Sequence, residues 1–330
     1  MKKDTEINYP IKFKPILKER IWGGNKLMTL LHKESDKTSN IGESWEISDV
    51  EGDTSIVVNG SLKGKSLKEL LETYKDEFVG RHVYEQFGNK FPLLIKYIDA
   101  KEALSIQLHP NDELSKSRHN SFGKTEMWYI MQAEKGGNLV VGFKKDSNRE
   151  EYLEHLESKK LLDILNVDEV KEGDVYFIPT GQIHAIGAGV LLAEIQQTSD
   201  ITYRIYDWDR VDDNGNSREL HTELALDAID FKAKEKYSSD YTKKINKSSN
   251  IIECQYFTTN ILPIEKEVSI DTSSKNSFKI YMCVEGEASF TCGEHSETIS
   301  MGETVLIPAS VKKYTITATN YAELLEIYIK

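Results

Sequence analysis

The 330-residue chain has little cysteine, three residues in all, and little proline, seven. Cys254, Cys283 and Cys292 are odd in number, far apart and in no CxxC pairing, which excludes a disulfide framework or a zinc knuckle and leaves reduced thiols. No apolar run approaches the roughly 20 residues that a membrane span needs. Residues 1–10 carry two lysines with no apolar stretch behind them, so a cytoplasmic protein with no membrane partner is expected. A basic surplus is also missing: 54 acidic residues against 42 Lys and Arg give a net charge of -12. Such a surface repels phosphate backbones, and no Lys- and Arg-rich block with interleaved aromatics relieves it, which excludes nucleic acid as a partner. A phosphorylated metabolite is not excluded, because a local pair of cations outweighs a distant negative surface at about 0.15 M salt.

What is present fits a globular protein of two domains: 39% hydrophobic and 29% charged residues, both signs mixed along the whole length. Apolar periodicity predicts helices over 66–74, continued over 81–87, and over 148–165, the last acidic with leucines at 153, 156, 161, 162 and 165. Most other segments read as short strands, among them 55–58, 93–97, 104–108, 127–131, 139–142, 174–178 and 190–195, which points to a β-sandwich or barrel. Gly173-Asp-Val-Tyr-Phe-Ile-Pro179 and Gly302-Glu-Thr-Val-Leu-Ile-Pro308 share glycine, acid, apolar strand and proline at identical spacing, implying two related units. Before the second copy, 278–291 reads as a hairpin turning at Glu285-Gly286-Glu287, mirroring a turn at Gly136-Gly137. The Lys- and Ser-rich stretch 232–250 is the linker candidate, with the boundary near Ser238.

Alternation over 104–109 puts Ser105, Gln107 and His109 on one strand face and Leu104, Ile106 and Leu108 on the other. Gly173, Pro179 and then His184 place a second histidine just beyond a strand, with Glu126 between the two in sequence. Two imidazoles, one carboxylate and one amide oxygen suit Zn²⁺, with Fe²⁺, Mn²⁺ or Co²⁺ as substitutes, and leave room for water or substrate. In the second copy Lys313 stands where His184 does in the first, and no Gln-x-His pair precedes it. One metal per chain is therefore expected. His32, His82, His119, His155, His221 and His295 lack matching partners and fall outside this set, His221 being the least certain of the six.

Gln-x-His, a later Glu and Gly(x5)Pro-x-Gly-x-x-His together resemble the paired motifs of the cupin superfamily, with the usual first His replaced by Gln. Arg20-Ile-Trp22-Gly-Gly, Gly42-Glu-Ser-Trp45, Pro92-Leu-Leu-Ile-Lys96, Leu104-Ser-Ile-Gln-Leu-His-Pro, Gly123-Lys-Thr-Glu-Met-Trp-Tyr and Ile178-Pro-Thr-Gly-Gln-Ile-His-Ala resemble the type I mannose-6-phosphate isomerase family in its short bacterial form. The resemblance spans about residues 10–225, and the second unit fits the family's C-terminal domain. It implies a mainly β fold of two cupin (jelly-roll) barrels. The catalytic domain would cover 1–238, with helical insertions at about 66–88 and 148–165, and a metal-free cupin would cover 239–330.

The same resemblance implies a zinc enzyme, one ion per chain, that interconverts mannose 6-phosphate and fructose 6-phosphate through an enediol. By the family's Glu(x5)Asp(x3)Arg spacing, Glu194, Asp200 and Arg204 line the pocket. Arg204 suits phosphate or enediolate oxygens, Asp200 would steer a proton or hold Arg204, and Glu194 would bind hydroxyls or support the metal. Lys124, two residues before Glu126, is a second cation or a proton shuttle, and Ser105 is a phosphate or hydroxyl contact. Composition alone would also fit a surface ion pair at Asp200 and Arg204, a solvated Lys124, and Trp22, Trp45 and Trp128 as core or pocket wall. Longer family members have a His immediately before the lysine equivalent to Lys124, where Gly123 stands here, so the general base stays open among Lys124, Asp200, Glu194 and metal-bound water. The competing readings are a metal-dependent cupin dioxygenase and a noncatalytic sugar-binding bicupin.

Overall fold

The computed structural model describes residues 7–36, 40–211 and 214–330. Residues 1–6, part of the N-terminal stretch considered above, lie outside them. Among the described residues no helix is long and apolar enough to cross a membrane.

The fold is mainly β and antiparallel, built as stacked sheets. A six-stranded sheet runs in the order Ile16–Gly24, Ile41–Ile47, Leu93–Ala100, Val190–Gln197, Glu126–Ala133, Val175–Ile178. A five-stranded sheet follows the order Tyr203–Tyr206, Ile106–Leu108, His184–Ile186, Asn138–Phe143, Leu165–Glu169. The C-terminal unit forms a third sheet centred on the long strands Lys279–Cys292 and Lys313–Tyr328. These units have the jelly-roll character of cupins.

The six-stranded sheet is the middle layer, so its strands Ile41–Ile47, Leu93–Ala100 and Val190–Gln197 are buried at every position. This is why Leu93–Ala100 and Val190–Gln197 read as largely apolar runs rather than alternating ones. Ile95, Tyr97, Met127, Tyr129, Leu191 and Ala193 pack against Ile280, Met282, Leu325 and Ile327 of the C-terminal unit. The opposite face gives Ile98, Trp128, Ile130 and Leu192 to a core shared with Leu139, Val141 and Ile186 of the five-stranded sheet. Glu43, Lys96, Glu126, Glu194 and Gln196, on that inner face, are not apolar, and all but Gln196 lie at the site described below.

Several expectations are corrected. The 148–165 helix is shorter: Asn148 caps Arg149–Glu157, Lys159 then takes a positive φ of 59°, a 3-10 turn occupies Leu161–Asp163 and a strand begins at Leu165. Left-handed backbone ends a helix, and Leu161 and Leu165 bury themselves from the new direction. Glu285-Gly286-Glu287 is a bulge inside the continuous strand Lys279–Cys292, and the chain reverses instead at Gly293. Gly286 has φ 71° and a Cβ there would meet Tyr321 O at 2.0 Å, so the glycine answers a close strand approach rather than a turn. Residues 55–58 form only isolated bridges, Phe13 to Val57 and Ile56 to Ser66. Leu104 precedes the strand Ile106–Leu108 and joins the inner core instead of facing outward with Ile106 and Leu108.

The helical segment after residue 66 forms as three short helices, Leu67–Tyr74, Asp76–Val79 and Arg81–Phe87, the first opened by a Ser66/Glu69 capping box. Its residues touch the C-terminal unit: Ala309 N donates to Phe78 O at 2.8 Å and Ser310 N to Glu77 O at 2.8 Å. The stretch 232–248 has no helix or longer strand, but it is pinned to the first unit by Tyr237 Oη donating to Phe143 O (2.9 Å) and Tyr241 Oη to Gly173 O (2.6 Å).

Candidate metal centre and active site

The strand register builds a row of side chains across the five-stranded sheet. His184 lies opposite Gln107, and Gln107 lies opposite Arg204. Directly paired residues share a face, so an imidazole, an amide and a guanidinium line up toward the six-stranded sheet. His109 follows the strand Ile106–Leu108, and Glu126 reaches over from the start of Glu126–Ala133.

His109, Glu126 and His184, all buried, bring ligand atoms within 4.8 Å of one another, and this is the one such group among the described residues. The two Nε2 atoms are 3.1 Å apart, and each stands 3.5 Å from a Glu126 oxygen. His109 Nδ1 contacts Ile201 O at 2.9 Å and His184 Nδ1 contacts Gln182 O at 2.8 Å. A carbonyl only accepts, so both Nδ1 atoms carry the proton and both Nε2 atoms present lone pairs. Burial pushes the His109 pKa down to about 3, with help from the Lys124 charge, and burial also lowers His184. Burial pushes the Glu126 pKa up, but Lys124, His109 and His184 together outweigh it and hold the carboxyl well below the usual carboxylate range.

Two neutral imidazoles and a carboxylate thus aim lone pairs at one point, and neither Glu126 oxygen accepts a hydrogen bond of good geometry. Four buried acceptor atoms crowded together are costly, the Lys124 ammonium at their edge meets only part of that cost, and a cation at their focus relieves the rest. The donor set fits a divalent metal. Gln107 adds an amide beside it, Nε2 lying 3.5 Å from His184 Nε2, and a half-turn of the amide exchanges nitrogen for oxygen. Lys124 Nζ sits at the edge, 2.9 Å from His109 Nε2 and 2.9 Å from Glu126 Oε2.

This group opens on a cavity of about 440 Å³ whose wall includes Ser105, Gln107, Lys124, His184, Glu194, Asp200 and Arg204. The structure therefore brings every residue singled out from the sequence to one place, His109 and Glu126 lying just behind the wall. Ser105 Oγ donates to Gln107 Oε1 at 3.2 Å. Glu194 accepts from Trp128 Nε1 at 2.9 Å and lies 3.0 Å from Lys96 Nζ, and burial raises its pKa. Asp200 is exposed on the rim, and Arg204 donates Nη1 to Glu219 O (2.8 Å) rather than pairing with it. His221 stays outside the metal group: its Nδ1 accepts from Arg204 N at 3.1 Å. Lys313 of the second unit is exposed and 3.6 Å from Asp271.

Sequence reasoning assigned no role to Lys96, Glu43, Arg20 or Arg218, which also line the cavity. Lys96 is buried, and although burial opposes its charge, Glu194 and Glu43 raise its pKa. The available signal was a lone lysine in the otherwise apolar Pro92-Leu-Leu-Ile-Lys96, on a strand with no solvent face. At Gly123 a Cβ would lie 2.7 Å from Asp112 N and 2.9 Å from the Asn111 carbonyl carbon, so the backbone leaves no room for any side chain there, histidine included.

Fold and site together define a two-unit cupin protein with a buried His-Glu-His group able to hold a metal, beside a cavity rich in arginine and lysine. Residues 11–142 match the family model for the phosphomannose isomerase type I catalytic domain, and residues 247–328 match that for the mannose-6-phosphate isomerase cupin domain. Mannose-6-phosphate isomerase ManA of Bacillus subtilis is 34% identical over 95% of this chain and 97% of its own length. The mannose-6-phosphate isomerase of Streptococcus mutans is 30% identical over 92% of this chain and 94% of its own. The crystal structure of a mannose 6-phosphate isomerase from Bacillus subtilis superposes with a TM-score of 0.87, 32% identity, 97% of this chain and 100% of that one. The chain belongs to the type I mannose-6-phosphate isomerase family. A Salmonella typhimurium phosphomannose isomerase, 18% identical with a TM-score of 0.80, shares the fold.

Proposed function

We propose that this chain is a zinc-dependent aldose-ketose isomerase interconverting mannose 6-phosphate and fructose 6-phosphate in the cytoplasm. The observation that carries the reading is the row His184, Gln107, Arg204, which sets a metal-type donor group and a guanidinium on one cavity wall. Gln107, His109, Glu126 and His184 would hold one Zn²⁺. When bound, the ion supplies Lewis-acid polarisation of sugar oxygens.

The chain's own residues do the rest. The reaction moves a proton from C2 of the open aldose to C1 and shifts a hydroxyl proton from O2 to O1, with an enediol between. The proton carrier is drawn from Lys124, Glu194 and Asp200, all on the cavity wall. Lys124 is closest to the metal group, and Glu194 has a pKa raised by burial, which brings a carboxylate nearer the range a base needs. Arg204 binds the anionic end, and Ser105 holds Gln107 in line and offers a hydroxyl to the sugar.

A coupled assay for fructose 6-phosphate formed from mannose 6-phosphate tests this. Turnover with bound zinc is expected; iron together with oxygen consumption and no isomerisation would refute it in favour of a dioxygenase.

A further inference from the structure

Among the described residues Arg204 is the cation of the cavity wall without a carboxylate partner. Arg20 is held by Glu43, Lys96 by Glu194, Lys124 by Glu126 and Arg218 by Asp207. Arg204 has only the carbonyl of Glu219, and its buried Nε–H has no acceptor. A buried N–H without an acceptor costs about 1–3 kcal/mol. Burial and the nearby Arg218 disfavour the charge on Arg204 by more than the carboxylates of Asp207 and Glu219, neither in contact with it, favour it. Two guanidinium groups on one wall, one short of acceptors, are stable together when an anion lies between them.

Arg218 is set for that. Its Nε and Nη2 donate to Asp207 Oδ2 and Oδ1 at 2.7 and 2.5 Å, a fork-on-fork pair on a carboxylate that is only 5% exposed. That pairing uses one edge of the guanidinium and leaves the outer Nη1 and Nη2 edge for the cavity that Arg218 lines. The backbone places it beside Arg204: Arg204 O accepts from His221 N at 2.7 Å, so the segment ending in Arg218–His221 runs along the strand Tyr203–Tyr206.

We propose that Arg204 and Arg218 form a two-pronged clamp for a terminal phosphate, with Asp207 as the positioning residue that fixes Arg218. This rests on the isomerase reading for the identity of the sugar. Arg204 stands two strand spacings, about 10 Å, from His184 along the row, a separation that matches an extended six-carbon chain with phosphate on its last carbon. The substrate then lies with C1 and C2 at Gln107 and His184 and with its phosphate at the clamp.

The test uses the zinc-loaded full chain and Arg218→Met. KM for mannose 6-phosphate should rise by about tenfold or more while kcat stays within about threefold, and competitive inhibition by inorganic phosphate should weaken by the same factor. Metal content should stay unchanged, and Asp207→Asn should shift KM the same way by less. Unchanged KM and phosphate inhibition in Arg218→Met, or a fall in kcat alone, overturns the clamp. Arg218→Lys keeps charge without the fork, so a KM rise of about threefold in it carries the test if the Met variant folds poorly, and no rise overturns the clamp. Calorimetric titration with inorganic phosphate separates the two readings. Wild type that binds phosphate but turns over no mannose 6-phosphate, with binding lost in Arg218→Met, upholds the clamp and removes the isomerase reading; wild-type turnover without phosphate binding removes the clamp.

Discussion

Replacing Glu43 by Gln tests the electrostatic frame of the cavity. The carboxylate accepts from Arg20 Nε at 2.8 Å and Trp45 Nε1 at 2.6 Å, with Lys96 Nζ 4.0 Å away. Burial pushes its pKa up, but Lys96 and Arg20 outweigh burial and carry it from 4.5 down to about 2. A shift of that size corresponds to about 3 kcal/mol of folding stability at neutral pH. The unfolded chain takes up the proton at higher pH than the folded one, so the contribution is complete above the unfolded value of 4.5 and is lost as pH falls toward 2. Glu43→Gln, which keeps shape and one acceptor for Trp45, should therefore cost about 3 kcal/mol near pH 7 and less than half of that near pH 3. Urea unfolding at the two pH values measures the difference, provided the slope is common to both proteins. An equal loss at both would place the effect in packing, and no loss near pH 7 would show that Arg20 and Lys96 do not hold the carboxylate; either refutes the reasoning.

Three further outcomes follow from the site. His184→Ala should lose the metal, by elemental analysis after dialysis, because it removes one of three converging lone pairs; retention of a full equivalent would place the metal elsewhere. Arg204→Ala should keep the metal and lose turnover, and metal loss in that variant would show the roles to be misassigned. Gly123→Ala should lower stability by about 1–3 kcal/mol, since its Cβ meets backbone at 2.7 Å, and an unchanged thermal midpoint would contradict the packing.

The strands carrying the metal group were legible because each leaves a signal that local chemistry makes unusual. Gln107 and His109 interrupt one face of an alternating strand, and His184 follows a glycine-to-proline unit that recurs, without its histidine, at Gly302–Pro308. The ligand-free copy shows what the bare scaffold looks like. Helix Asp112–His119 was missed, although Asn111 caps it and Asp112 and Glu113 open it, because its single leucine gives no apolar period. The helix over 148–165 is shorter than its leucines suggest for the opposite reason: they continue the period, but Lys159 takes a left-handed conformation that the apolar period does not register. Lys96, Glu43 and Arg218 stayed hidden because their partners lie on other strands, and long-range ion pairs have no sequence period. Glu194 and Arg204 came from family spacing, and register explains that spacing: Glu194 faces Lys96 across one sheet, Arg204 faces Gln107 across the other.

The most direct test is a zinc titration of chelated, metal-free protein, followed by the rate of fructose 6-phosphate formation from mannose 6-phosphate. The predicted rate is negligible without metal, rises linearly with added zinc and levels off at one equivalent per chain. Full activity in the chelated protein, or none at any zinc level, would contradict the proposal that Gln107, His109, Glu126 and His184 hold the ion on which isomerisation depends.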